Sequence, residues 1–176
     1  MKKLEDYVIT IPDFPEPGIM FRDITGILQD AEGFQLAIDS LLELIKDTHC
    51  DVIARAESRG FIFGAALASK LGIGFIPIRK PNKLPADTIK ETYDLEYGSD
   101  TIEMHKDAVK EGDRVVIIDD LLATGGTAVA ACNLVKKAGG EVVAAAFIIE
   151  LDPLKGREKI EANGVKVVSM LHYDLD

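Results

Sequence analysis

The sequence predicts an α/β protein with an open, parallel-core sheet covered by helices on both faces. Three observations carry that prediction. Apolar runs alternate with helix-period segments along most of the chain. The runs are continuously apolar rather than alternating, as befits strands buried on both faces. With 176 residues, 47% of them hydrophobic, the chain can build one domain around a sizeable core.

The elements follow in order. A helical pattern near Leu36 to Ile45 comes first. "DVIAR" (51–55) reads as a buried strand, "GFIFGAALASKLG" (60–72) as a helix rich in small residues, and "GFIPIRK" (74–80) as a second strand. "DRVVIID" (113–119) is a third strand. In the helix after it, Ala128, Ala131, Cys132 and Val135 fall at i, i+3, i+4 and i+7, and Gly139 closes it. "EVVAAAFIIEL" (141–151) and "VKVVSML" (165–171) are the fourth and fifth strands. No repeat, low-complexity tract or linker interrupts residues 1–176, so a single domain is expected.

Two regions break the rhythm. "IPDFPEPGIMFRDIT" (11–25) holds three prolines and a glycine. The polar stretch 82–113 contains an alternating segment, a "YGSD" turn and a second short segment, which predicts a hairpin or long flap. A connection of that length in a compact domain is usually functional.

Composition narrows the function. The net charge of −10 argues against nucleic acid or an anionic membrane surface as partner. No stretch approaches the ~20 apolar residues of a membrane span, and "MKKLEDYVIT" does not read as a secretory signal. Cys50 and Cys132, far apart, form neither a disulfide framework nor a four-ligand zinc pattern, so a cytoplasmic location is expected. "HCD" at 49–51 offers adjacent ligand types without the spacing of a metal site.

The chemistry concentrates in "VVIIDDLLATGGTA" (115–128). Ligands of an open parallel sheet sit beyond the C-terminal strand ends, where this run delivers Asp119 and Asp120. The loop that follows leads into a helix N-terminus. Gly125 and Gly126 allow close backbone approach, and free N–H groups with the hydroxyls of Thr124 and Thr127 can hold a phosphate. The G-x-x-x-x-G-K-[ST] pattern is absent, so a phosphate monoester fits better than a triphosphate. Two acids just before it suit the vicinal hydroxyls of a ribose.

This stretch resembles the phosphoribosyl pyrophosphate signature of the type I phosphoribosyltransferases. "FPEPGIMFRDIT", "ESRGFIFG", "IPIRKPNKLP", "YDLEYGSDTIEMHKDA" and "LKGREKI" stand in the order and spacing of the adenine-using branch of that family, and the likeness covers nearly the whole chain. The resemblance implies the type I phosphoribosyltransferase fold, with a small hood (about 1–30 and 150–176) and a flexible flap (about 82–113). It implies that adenine displaces pyrophosphate from the sugar to give AMP, with Mg2+ held mainly by substrate oxygens and water and no direct protein ligand. A homodimer is implied as well.

The same resemblance assigns residues. Ser58, Arg59, Arg79, Lys80 and Lys83 would handle phosphoribosyl pyrophosphate together with Asp119, Asp120 and the loop Ala123, Thr124, Gly125, Gly126 and Thr127, with Arg79 reaching across a dimer interface. Relatives carry a non-proline cis peptide where Glu57–Ser58 stands here. Asn82 occupies a position where the family often has glycine, and asparagine tolerates the left-handed conformation. Met20, Phe21, Arg22 and Leu151 would form the adenine pocket: Phe21 stacks on the base, the backbone of Met20 and Arg22 reads its rim, and Leu151 is the opposite wall. The catalytic group would comprise Arg59, Asp119, Asp120 and Glu96, with Glu96 serving N7 as acid or base. Tyr97 and His105 belong to the flap; His105 either touches pyrophosphate or simply sits there. The alternatives are a transferase for hypoxanthine or xanthine, and a non-catalytic regulator of the same fold that senses the ligand.

Overall fold

The computed structural model describes residues 2–57, 59–95 and 97–175. Its centre is a five-stranded sheet, and all pairs in it are parallel. The strands are β3 (Val52–Ala56), β4 (Gly74–Ile78), β7 (Arg114–Leu122), β8 (Glu141–Leu151) and β9 (Lys166–Tyr173), in spatial order β4-β3-β7-β8-β9. The five predicted strands are all there; the predicted helices join β3 to β4 and β7 to β8, a hairpin lies between β4 and β7, and a short helix that was not predicted joins β8 to β9.

Alternation along each strand sends side chains to two separate cores. Ile53, Val116, Ile118, Ala146 and Ile148 face α2 (Ala31–Ile45) and α3 (Gly60–Leu71). Val52, Ala54, Val115, Ile117 and Ala145 face α4 (Gly126–Lys137) and Ile160 of α5 (Gly156–Glu161). Both faces being covered explains why these strands read as unbroken apolar runs. Helix α2 starts because the Asp30 side chain accepts hydrogen bonds from the Glu32 and Gly33 N–H groups. It buries Ala37, Ile38, Leu41 and Ile45 along one stripe. Each fully buried Leu or Ile contributes about 1.5–3 kcal/mol, so this stripe, not helix propensity, holds α2 in place.

Outside the sheet lie two hairpins. β1 (Ile9–Ile11) pairs with β2 (Phe21–Asp23), and the proline-rich segment 12–20 is its loop. A short helix α1 (Thr25–Gln29) follows. β5 (Thr88–Asp94) pairs with β6 (Ser99–His105) in register Thr88↔His105 to Asp94↔Ser99, which is the hairpin expected in 82–113. It forms its own two-stranded sheet, joined to β4's end only by the Arg79↔Glu103 bridge among the described residues.

One boundary needs correction. The third core strand was expected to end at Asp119, with a loop from Leu121. Instead β7 runs to Leu122, pairing Leu121 with Ile149 and Leu122 with Glu150 of β8. Leu122 is buried in the core, and this burial carries the strand past the acids. The connection shrinks to Ala123–Gly125. No helix among the described residues is long and apolar enough to cross a membrane.

Candidate active site

A cavity of about 360 Å³ opens at the C-terminal ends of β3 and β7. Its floor is the acid pair. Asp119 and Asp120 are 8% and 4% exposed, so their charges require partners. Arg55, on β3, places Nη2 2.6 Å from Asp119 Oδ1 and 3.9 Å from Asp120 Oδ1. Arg59, beyond the strand, places Nε 3.1 Å from Asp120 Oδ2. Burial pushes the Asp119 carboxyl well above the usual range, neighbouring Asp120 adds to the push, and Arg55 opposes it.

Beside the acids is the anion loop. Ala123, Thr124, Gly125, Gly126 and Thr127 all line the cavity. Gly125 has φ 83°, which β-carbon sterics disfavour in other residues, and it caps α4 so that the helix N-terminus faces the opening. A second constraint seats the loop: a Cβ on Gly125 would lie 2.8 Å from the Gly156 carbonyl oxygen, and one on Gly156 2.4 Å from that of Ala123. The "LKGRE" turn therefore supports the loop by direct backbone contact.

Two of the four sequence-predicted cations, Arg59 and Lys80, line the cavity. Lys80 lines the cavity and is ion-paired with Asp100 of the hairpin. Arg79 donates through Nε to Glu57 Oε2 at 2.8 Å, and the Lys80 N–H donates to Glu57 Oε1 at 3.0 Å. Burial works to raise the Glu57 carboxyl, but these two hydrogen bonds outweigh it and leave it low. Lys83 is exposed outside the cavity, and its charge also favours ionised Glu57. Arg79 thus has a partner within its own chain. Asn82 adopts φ 65°, the left-handed conformation anticipated for it.

The hairpin forms the cavity's outer wall. The Tyr93 hydroxyl accepts from Thr127 Oγ1 at 3.1 Å and donates to Asp100 Oδ2 at 3.3 Å. On the same strand, Glu91 is ion-paired with Lys137 and accepts from Asn133 Nδ2 at 3.2 Å, both on α4. The flap is therefore tied to the anion loop and its helix. At its base, the Ala86 N–H donates to His105 Nε2 at 3.4 Å, so His105 braces the hairpin. Tyr97, at the tip, is 87% exposed. Ser58 and Glu96, with the anticipated cis peptide at Glu57–Ser58, lie outside the described residues.

The residues expected around adenine are not part of this cavity's lining. Phe21 packs edge-on to Phe14, centroids 5.1 Å apart, with the Arg59 guanidinium 5.8 Å from its ring centre. Arg22 donates to Thr10 Oγ1 at 2.6 Å and lies over the Tyr173 ring at 4.6 Å. Tyr173 pairs with Leu151 across β8 and β9. Met20 sits half-buried at the start of β2. The β1–β2 hairpin thus meets the ends of β8 and β9, and Phe21 meets the cavity through Arg59.

Sequence reasoning missed Arg55, Glu57, Tyr93 and Asp100. A signal existed for Arg55: it is the lone charge in "VIARA", whose five residues are all buried. A cation in such a strand demands buried acids, and the chain has one adjacent acidic pair at the end of a core strand.

Together these features define a class: an open parallel α/β fold whose ligand edge sets a buried acid pair beside a glycine loop at a helix N-terminus. Residues 25–174 match the family described as the phosphoribosyl transferase domain. The chain belongs to the adenine phosphoribosyltransferase family. It is 64% identical over 161 residues to the adenine phosphoribosyltransferase of Butyrivibrio fibrisolvens, covering 92% of this chain and 89% of that one. The enzyme of Thermoanaerobacter pseudethanolicus superposes with a TM-score of 0.92 at 49% identity, over 97% and 100% of the two chains. That of Saccharomyces cerevisiae, solved with D-2,5-dideoxy-2,5-imino-altritol 1,6-bisphosphate and adenine, gives 0.88 at 42% identity over 96% of each.

Proposed function

We propose that this protein transfers the phosphoribosyl group of 5-phosphoribosyl 1-pyrophosphate to adenine, giving AMP and pyrophosphate, and so serves purine salvage. The observation that carries the reading is the buried Asp119–Asp120 pair set directly beside a glycine anion loop. A 5′-phosphate on Gly125, Gly126, Thr124 and Thr127 leaves the ribose hydroxyls to donate to the two carboxylates. Fixed negative charge under the sugar stabilises the positive charge that develops at C1′ as pyrophosphate departs. Arg59, Lys80 and Lys83 receive the pyrophosphate, with Arg79 added from a partner subunit in a homodimer. The half-exposed Ile62 on α3 and the Phe61–Phe75 ring pair beside β4 give that dimer an apolar face.

Glu96 holds or moves the proton at N7, and the flap that carries it excludes water from the activated sugar. Adenine lies against Phe21, with Met20 and Arg22 reading its rim and Leu151 opposite. Both acids are already ion-paired, which suits a Mg2+ held by phosphate oxygens and water rather than by a protein cage. When bound, the ion would neutralise charge on the leaving pyrophosphate. Free Cys50 and Cys132 suit the reducing cytoplasm.

The test is to incubate the protein with magnesium, phosphoribosyl pyrophosphate and, separately, adenine, hypoxanthine, guanine and xanthine, and to follow nucleotide by chromatography. AMP from adenine alone is the expected result. Product from another base would retain the sugar chemistry and overturn the pocket assignment. Binding without product would establish the ligand-sensing alternative.

A further inference from the structure

We propose that Arg55 is a positioning residue for this reaction: a buried, fixed cation that holds Asp119 and Asp120 aimed at the ribose once Arg59 turns to the pyrophosphate. The inference rests on the proposed function and adds a residue to it.

Arg55 and Arg59 approach the acid pair from different sides. Arg59 is the outer partner, with its side chain 44% exposed in the mouth of the cavity. It touches Asp120, and it is also the arginine expected to grip phosphate. Both bonds cannot be kept at full strength, so a bound polyanion draws Arg59 away from Asp120. Arg55 is the inner partner. Its side chain is 11% exposed and contacts both carboxylates.

The Arg55 Nε is buried with no acceptor among the described residues. A hydrogen-bond donor left unsatisfied is costly, and only the charge contact with the acids offsets it. Space for the side chain is made by Gly60 at the start of α3: a Cβ there would lie 2.1 Å from Arg55 Nε and 2.7 Å from Cδ. Charged groups facing the acids are Arg55 from β3 and Arg59 from the next loop. β8 presents the uncharged Phe147 opposite Asp119. Glu57, Lys80 and Asp100 line the same cavity, with Glu57 paired to Arg79 and Lys80 to Asp100. Without Arg55, the push of burial and of neighbouring Asp120 on the Asp119 carboxyl would lose its main opposing charge, and a protonated carboxyl accepts sugar hydroxyls poorly.

The test compares wild type with Arg55→Met, which keeps length without charge, and Arg55→Lys. For Arg55→Met the KM for phosphoribosyl pyrophosphate should rise at least about tenfold, while the KM for adenine stays within about twofold. The acid limb of kcat/KM for the sugar should move to higher pH, because Arg55 is the charge that opposes the upward push on the Asp119 carboxyl. Arg55→Lys should recover most of both effects, since charge and not shape is the requirement. If Arg55→Met fails to fold, Gly60→Ala replaces it, displacing the guanidinium without removing it, with the same shifts expected. An unchanged KM and pH profile in the folded variant would overturn the proposal, as would Arg55→Lys behaving like Arg55→Met. Calorimetry with ribose 5-phosphate separates the two readings. Binding to wild type that Arg55→Met weakens supports the role of Arg55 whatever base is used. Equal binding to both overturns that role alone, and no binding to wild type overturns both readings.

Discussion

Replacing Glu150 with Gln should lower stability by about 2 kcal/mol, and the loss should have a defined pH signature. The Glu150 side chain is 5% exposed at the end of β8. Its Oε1 accepts from Arg157 Nε at 2.9 Å; its Oε2 accepts from Arg157 Nη2 at 2.6 Å and from Ser169 Oγ at 2.6 Å. Arg157 also donates to the Val167 carbonyl at 2.7 Å, so this one fork ties α5 to β8 and β9. An amide at 150 keeps one acceptor, turns a donor toward Arg157 and loses the charge. Breaking a buried pair costs about 3–5 kcal/mol. The retained acceptor and the 31% exposure of Arg157 bring the figure to ~2 kcal/mol. At about 2–4 °C per kcal/mol for a domain of this size, Tm falls by about 4–8 °C. Burial works to raise the Glu150 carboxyl, but bonds from Arg157 and Ser169 hold it below its ordinary value. A depressed folded-state pKa contributes stability above the unfolded value and loses it as pH falls through the folded one. The Tm deficit should therefore be constant from pH 8 to 5 and shrink only below about pH 4.3. Melting curves of both proteins by circular dichroism across that range measure it. Equal Tm values at pH 7, or a deficit that already changes between pH 7 and 6, would refute the reasoning.

Four further outcomes follow from the site. Arg59→Ala should raise the KM for phosphoribosyl pyrophosphate and lower kcat; unchanged steady-state kinetics would remove Arg59 from the site. Tyr93→Phe deletes the hydroxyl between Thr127 and Asp100, and should weaken sugar-phosphate binding about 2–10-fold by calorimetry, the net worth of about one hydrogen bond. Glu96→Gln should reduce kcat by about 10²–10⁴ if that carboxyl does the proton work, whereas a tenfold or smaller loss in single-turnover assays would leave it a positioning role. Sedimentation should find a dimer, and a fully active monomer would end the assignment of Arg79 to a partner's site.

The core was legible because parallel strands leave a local signature. "VVIID" and "EVVAAAFIIEL" are apolar throughout, and only a sheet buried on both faces asks for that. The anion loop was legible for a similar reason: Asp-Asp, a short spacer and Gly-Gly opening a helix is a contiguous pattern with one physical use. What escaped was pairing over distance. Nothing local to Asp100 says that it will meet Lys80, 20 residues earlier, and Tyr93 reads as an ordinary cross-strand aromatic until α4 is set beside it. Arg55 lies between these cases. Its cost in a buried strand was visible, but its partners lie 64 and 65 residues away.

Those pairings explain how a chain of net charge −10 can hold a polyanion. The expected cations that line the cavity each have an acid, Arg59 with Asp120 and Lys80 with Asp100, and at its edge Arg79 is held by Glu57. Unpaired, such a cluster would repel itself in a partly dry cavity. Paired, it is stable, and on the proposed function the ligand's phosphates would enter by exchange rather than by simple addition. The gain is then a difference between two strong contacts, which favours a ligand able to replace several acids at once. A single phosphate displaces one partner; a 5-phosphate and a pyrophosphate on one ribose reach the anion loop and the cations together. Asp100 and Tyr93 stand opposite each other on the hairpin, so one position of the flap holds both Lys80 and Thr127. Arg55 is the one cation that must not exchange, and of the arginines in the cavity it is the one buried behind the acids.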